Sequence, residues 1–250
     1  MYKRQHSTGE YAALSAAGVT SRAEATDLQQ DIRDLNTVFE AAEREGDIAE
    51  GTLFTIGPVN VEKLRSALTQ RDDVFLGMDN CAGQQVVVAT TADAAEWVPS
   101  LAKDLGGFCD ALPFARAYHC PAFEPFSARL SGFLSNIDVR APERPVYSCL
   151  TAAPFPETPV DIREWMAGQW SGEVRFQDTI RQMHDDGARI FVECGPRNNL
   201  TSFVNDVLRK QPHVCVAADT AGRQGLEQLH HLAAQLFAEG VPIDLQALGA

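Results

Sequence analysis

From Thr52 to Tyr118 the chain alternates short apolar runs with amphipathic segments, and their order limits the folds open to it. Thr52–Gly57 (T-L-F-T-I-G) has the β-branched and aromatic composition of a strand. Val61–Leu68 has helical spacing, and Asn60 stands where an N-cap belongs. Val74–Met78 predicts a second strand, Asp79–Gly83 a turn, and Gln85–Ala89 a third strand. Ala92–Leu105 predicts a helix closing at Gly106-Gly107, and Cys109–Tyr118 a last strand. That order is βαββαβ, the ferredoxin-like unit.

Longer elements flank this unit. Between Ser21 and Glu45, Leu28, Ile32, Leu35 and Phe39 recur every three or four residues, the mark of one or two amphipathic helices. Beyond residue 119, helices are predicted at Phe126–Leu134, Asp161–Trp170, Phe176–Asp186, Leu200–Arg209 and Leu226–Ala238. Strands are predicted at Val146–Leu150, Arg189–Cys194 and Val214–Ala218. Such alternation predicts an α/β fold: a hydrolase-like layered core with the ferredoxin-like subdomain inserted into it. The expected division is a core from 6–51 and 120–250, with the subdomain at 52–119.

Bulk composition narrows the function classes. A length of 250 residues allows an ample core. No apolar run approaches the ~20 residues that a membrane span needs. A net charge of −13 argues against nucleic acid, whose phosphates require Lys and Arg. The six cysteines stand singly in apolar segments, with no C-x-x-C pair and no zinc spacing. They read as reduced, cytoplasmic residues, and no metal site is expected.

Near the start, His6-Ser7-Thr8-Gly9 runs into a helix-forming stretch from Tyr11 to Ala17 that stops at Gly18. A serine between small residues just before a helix fits a nucleophile elbow, a tight turn that lifts Oγ clear of the backbone. The helix would point its N-terminal N–H groups at the site, and the Thr8 N–H would donate to a developing oxyanion. An elbow usually has glycine two places before the serine, where this chain has Gln5. The competing reading is a serine that merely caps the helix. Met1-Tyr2-Lys3-Arg4-Gln5 bears no relation to the residues after it and reads like a translated sequencing-adapter end, so residues 1–5 are expected to be non-native. On that reading the natural chain extends upstream, and the strand leading into the elbow lies there.

A serine nucleophile needs a base within hydrogen-bond reach. Of the six histidines, His6 is a poor base for its own neighbour, because adjacent residues on a sharp turn point different ways. His184 sits beside Asp185 and Asp186 in a helix and reads as solvated. His213 precedes a strand, and His230 and His231 lie in an amphipathic helix. His119 closes a predicted strand at the junction of subdomain and core, where clefts form.

Three segments in order resemble the acyltransferase domains of type I polyketide synthases and the related malonyl-CoA:acyl carrier protein transacylases. His6–Leu14 (H-S-T-G-E-Y-A-A-L) resembles the family's G-H-S-x-G-E elbow. Arg116–Pro125 (R-A-Y-H-C-P-A-F-E-P) resembles its A-F-H-S-P-x-M-E-P segment, and Phe191–Leu200 (F-V-E-C-G-P-R-N-N-L) its F-x-E-x-G-P turn. The resemblance implies acyl transfer from an acyl-CoA to the phosphopantetheine thiol of an acyl carrier protein. Ser7 would be the nucleophile, His119 the base and Thr8 the backbone oxyanion donor. It implies no bound cofactor, neighbouring synthase domains with a ketosynthase upstream, and a histidine oriented by a main-chain carbonyl around Cys194–Asn199. Asn80, Tyr118 and His6 are implied to line the substrate.

Malonyl is the favoured acyl group. The tetrad Arg116-Ala117-Tyr118-His119 resembles the malonyl-type H-A-F-H, and Tyr118 would crowd a branched α-carbon. The family's carboxylate-binding arginine aligns, without a gap, with Ile32, and Arg33 lies one residue on. One residue turns a helical side chain by about 100°. Arg33 as the malonyl binder, and Ile32 facing a non-carboxylated acyl group, both stay open. The alternatives to a transferase are a serine esterase or thioesterase, and an inactive scaffold that docks a carrier protein. A truncated domain is also expected to be poorly active or poorly folded.

Overall fold

The computed structural model describes residues 9–20, 25–223 and 225–244. Helix α1 (Gly9–Ala16) ends where Gly18 takes a left-handed turn at φ 76° and the Val19 N–H donates back to the Leu14 carbonyl. Helix α2 (Ala25–Glu45) is one long amphipathic helix whose Leu35, Val38 and Phe39 lean on the core.

The subdomain comes next. Strand β1 (Thr52–Gly57), helix α3 (Val61–Leu68), strands β2 (Val74–Cys81) and β3 (Gln84–Ala89), helix α4 (Ala92–Asp104) and strand β4 (Phe108–Ala111) run in the βαββαβ order. The sheet order is β2-β3-β1-β4 and every pairing is antiparallel, which is the ferredoxin-like arrangement. The caps explain the helix starts: Asn60 Oδ1 accepts from Lys63 N–H at 2.9 Å, and Thr91 Oγ1 from Ala94 N–H at 3.0 Å. Ile56 and Val87 on one sheet face pack beneath Leu64 of α3 and Val98 of α4. Leu53, Val86 and Val88 on the other face pack against the core.

After β4 come α5 (Glu124–Leu134), a short β5–β6 pair (Tyr147–Ser148, Ala153–Pro154), α6 (Pro159–Gly168), α7 (Phe176–Asp185), β7 (Ile190–Glu193), α8 (Asn199–Val207), β8 (Val214–Ala217) and α9 (Gly225–Ala238). Strands β7 and β8 are parallel, with Ile190 opposite Val214 and Glu193 opposite Ala217. No helix among the described residues is long and apolar enough to cross a membrane.

Three local expectations are corrected. Strand β2 does not stop at Met78 but continues to Cys81, because two register shifts against β3 keep the ladder going past Asp79. Asn80 is therefore a strand residue, not a turn residue. Strand β4 stops at Ala111, and residues 112–119 are irregular; Pro113 has no N–H to extend the ladder. His119 therefore sits in a turn. His184 is buried rather than solvated, with Nε2 3.2 Å from the Pro212 carbonyl.

This irregular segment lies on the seam between two apolar clusters. Tyr118 packs with Phe123, Phe126, Leu130, Met166 and Trp170, whereas Ala117 and Cys120 belong with Val88, Phe176 and Phe191. Gly77 of β2 makes the approach possible: a Cβ there would meet Val88 Cγ2 at 2.7 Å, with the Tyr118 and His119 carbonyl oxygens just beyond.

Candidate active site

His119 is 2% exposed and has φ 61°, in the left-handed region that costs a side-chain-bearing residue energy. Two hydrogen bonds hold it there. Its backbone N–H donates to the Trp170 carbonyl at 2.9 Å, and ring Nδ1 lies 2.8 Å from the Gln169 carbonyl. A carbonyl oxygen only accepts, so Nδ1 must carry the proton. With Nδ1 protonated, a neutral ring has its lone pair on Nε2, the arrangement a general base requires.

The orienting carbonyl is therefore Gln169, just past the end of α6, and not one around Cys194–Asn199 as expected. The Gly195-Pro196 turn does different work. Glu193, at its start, accepts from the Leu200 and Thr201 N–H groups at 3.2 and 2.7 Å and from the Thr201 hydroxyl at 2.7 Å. It caps the first turn of α8, where a carboxylate also meets the positive end of the helix dipole. No motif in the sequence marked Gln169. Its contribution is a backbone atom, which any residue type supplies.

Tyr118 packs its ring at 4.9 Å from Phe123, 6.1 Å from Trp170 and 6.4 Å from His119, forming an apolar wall beside the imidazole. Arg116 braces this wall: its guanidinium stacks 4.5 Å over Phe39 of α2, pairs with Glu43 at 2.5 Å and reaches the Tyr118 hydroxyl at 3.5 Å. Asn80 is buried in β2 and donates to Gln84 Oε1 at 3.0 Å. Arg33 lies on an exposed position of α2, where its carbonyl accepts from the Thr37 hydroxyl at 3.0 Å. The Ile32 side chain is outside the described atoms. His6, Ser7 and Thr8 lie outside the described residues, immediately ahead of α1 in the chain.

Cys120, the neighbour of His119, is no rival nucleophile. It donates Sγ–H to the Ala117 carbonyl at 3.2 Å, and burial pushes its thiol up to about 11. It remains a thiol at neutral pH. Among the described residues no group of three or more His, Cys, Asp or Glu could hold a metal ion. A cavity of about 770 Å³ opens elsewhere, between α3 and α7, and His119 is not among its walls. Its arginines are already matched: Arg65 with Glu173 and Asp79, Arg175 and Arg181 with Asp178.

The first turn of α1 carries a buried carboxylate. Glu10, 5% exposed, accepts from the Cys149 N–H at 2.6 Å and from the Ser148 hydroxyl at 3.3 Å. Burial outweighs these bonds and pushes the carboxyl from 4.5 up to about 7. The folded chain thus holds this proton more tightly than the unfolded chain does. Stability from this group is complete below about pH 4.5 and is lost as pH rises through about 7, by ~3 kcal/mol in all. Glu10→Gln, neutral throughout, should match the wild type near pH 4.5 and exceed it in Tm near pH 8. Parallel Tm curves for the two proteins across that range would refute the assignment.

Residues 5–241 match the acyl transferase domain family. A polyunsaturated fatty acid synthase subunit from Thraustochytrium sp. is 31% identical over 94% of this chain, which spans 8% of that protein. Malonyl CoA-acyl carrier protein transacylase of Bacillus subtilis (strain 168) is 28% identical over 85% of this chain and 66% of that protein. The crystal structure of the acyltransferase domain from the second module of the salinomycin polyketide synthase superposes with a TM-score of 0.81 at 24% identity, over 96% of this chain and 54% of that one. The chain thus spans two thirds or less of each of these proteins.

Proposed function

The chain belongs to the acyl transferase domain family, and from that premise we propose that it moves an acyl group, malonyl favoured, from coenzyme A to the phosphopantetheine thiol of an acyl carrier protein. The observation that supports this most directly is the 2.8 Å contact between His119 Nδ1 and the Gln169 carbonyl, which assigns the basic lone pair to Nε2.

In the first half-reaction Ser7 Oγ attacks the thioester carbonyl and its proton passes to His119 Nε2. The Thr8 N–H donates to the tetrahedral oxyanion. The C–S bond breaks, and the departing CoA sulfur takes the proton from His119. In the second half the carrier thiol gives its proton to His119, its sulfur attacks the acyl-serine, and Ser7 Oγ recovers the proton. Nothing is oxidised or reduced, and no bound cofactor is needed. In this reading, residues 6–51 and 120–250 form the acyltransferase core and 52–119 the subdomain roofing it. Asn80, Tyr118 and His6 line the acyl site, and Arg33 is the candidate partner for a free carboxylate. The aromatic packing around Tyr118 leaves little give for a branched α-carbon, which favours malonyl. The relatives named as malonyl CoA-acyl carrier protein transacylases support the same substrate pair. The natural setting is a cytoplasmic synthase with a ketosynthase as neighbour.

The test is incubation of the full-length domain with labelled malonyl-CoA and a holo acyl carrier protein. Label should appear first on the enzyme and then on the carrier. Release of free malonate without transfer would make the protein a hydrolase, and the absence of enzyme-bound label would make it a carrier-docking scaffold.

A further inference from the structure

The two residues of the proposed catalytic pair, Ser7 and His119, are far apart in the chain. In the sequence Ser7 stands two residues before Gly9, where α1 begins, so the first turn of α1 is the nearest described element to it along the chain. His119 is held by the 169–170 carbonyls, at the end of α6. One side chain joins them. Tyr11, in the first turn of α1, donates its hydroxyl proton to the Met166 carbonyl at 2.7 Å and accepts from Trp170 Nε1–H at 3.0 Å. These partners bracket Gln169 in the chain. Burial pushes the phenol well above its ordinary range, so it stays a neutral donor. Glu10 ties the same turn to the Cys149 N–H, and the Cys149 carbonyl in turn accepts from the Arg175 N–H at 2.8 Å. The Met166–Arg175 segment is therefore fastened to α1 at both ends.

We propose that Tyr11 is a positioning residue: through Met166 and Trp170 it sets the separation between α1 and the carbonyl that holds His119. This rests on the transferase reading above. The Trp170 indole could have stacked in the Phe39, Phe123 and Phe126 cluster without a polar partner, yet its N–H is spent on Tyr11. A phenol that takes one bond and gives one fixes two points of the segment at once, which an apolar ring cannot do.

The experiment compares the full chain with Tyr11→Phe and with Trp170→Phe, which breaks the link from its other end. Tyr147→Phe, whose hydroxyl bonds Asp186 on an exposed part of the fold, is the control. Acyl-enzyme formation in Tyr11→Phe should fall about 10–100-fold in kcat with KM for the acyl-CoA unchanged, since misplacing reacting groups by an ångström costs rate rather than binding. By NMR, the His119 Nδ1–H should lose exchange protection in both link variants and keep it in the control. Unchanged kcat and unchanged protection overturn the proposal. So does unfolding of both link variants, which makes the contact purely structural. If the wild type forms no acyl-enzyme, the transferase reading fails on its own, and the His119 exchange measurement still decides for or against the bracket.

Discussion

Replacing His119 by alanine should slow acylation by about 10²–10⁴-fold, the usual worth of a positioned general base. On the proposed mechanism the loss is chemical: the Ser7 proton has no acceptor. Alanine adds a second effect, because φ 61° suits it poorly and the Gln169 carbonyl loses its partner inside the fold. His119→Asn separates the two. Asparagine tolerates the left-handed region and can still donate to Gln169, but it carries no basic nitrogen. The asparagine variant should therefore keep its Tm better than the alanine variant and lose as much rate. Thermal melts and acyl-enzyme accumulation by intact-mass spectrometry measure the two effects, and wild-type acylation by the asparagine chain would remove His119 from its role.

Ser7→Ala should abolish the covalent intermediate altogether, a larger effect than loss of the base. On the proposed mechanism, without Oγ there is no atom to carry the acyl group between coenzyme A and the carrier, so the two half-reactions cannot be coupled. Binding of acyl-CoA should persist, because the serine forms its bond only as the reaction proceeds. The mass increment of one acyl group, present in the wild type and missing from Ser7→Ala, reports this directly. Persistent labelling of the alanine chain would assign the nucleophile elsewhere.

Much of the fold is legible in the sequence because its signals are local. Helix α3 and its Asn60 cap, strand β1 and the βαββαβ order follow from side chains within a few residues of each other. Where partners are distant, local signals mislead. Strand β2 runs on through Asp79 and Asn80 because β3 supplies bulged pairings, and the Asp79 N–H finds the Val174 carbonyl 2.9 Å away. His184 reads as solvated beside two aspartates, but the Pro212 carbonyl lies over it.

The sequence by itself nominated the residues for the proposed chemistry, a serine ahead of a helix-forming stretch and a histidine in R-A-Y-H, and it carried the α/β alternation that frames them. Only the tertiary structure decided how that histidine is held. The Gln169 carbonyl, fifty positions further on, orients the ring, and Tyr11 bonds across 155 and 159 positions to fasten that carbonyl's segment. A backbone oxygen has no side-chain identity, and a hydrogen bond between remote segments leaves no spacing in the chain. Both come into being only when α1, α6 and the turn at His119 pack around one aromatic cluster.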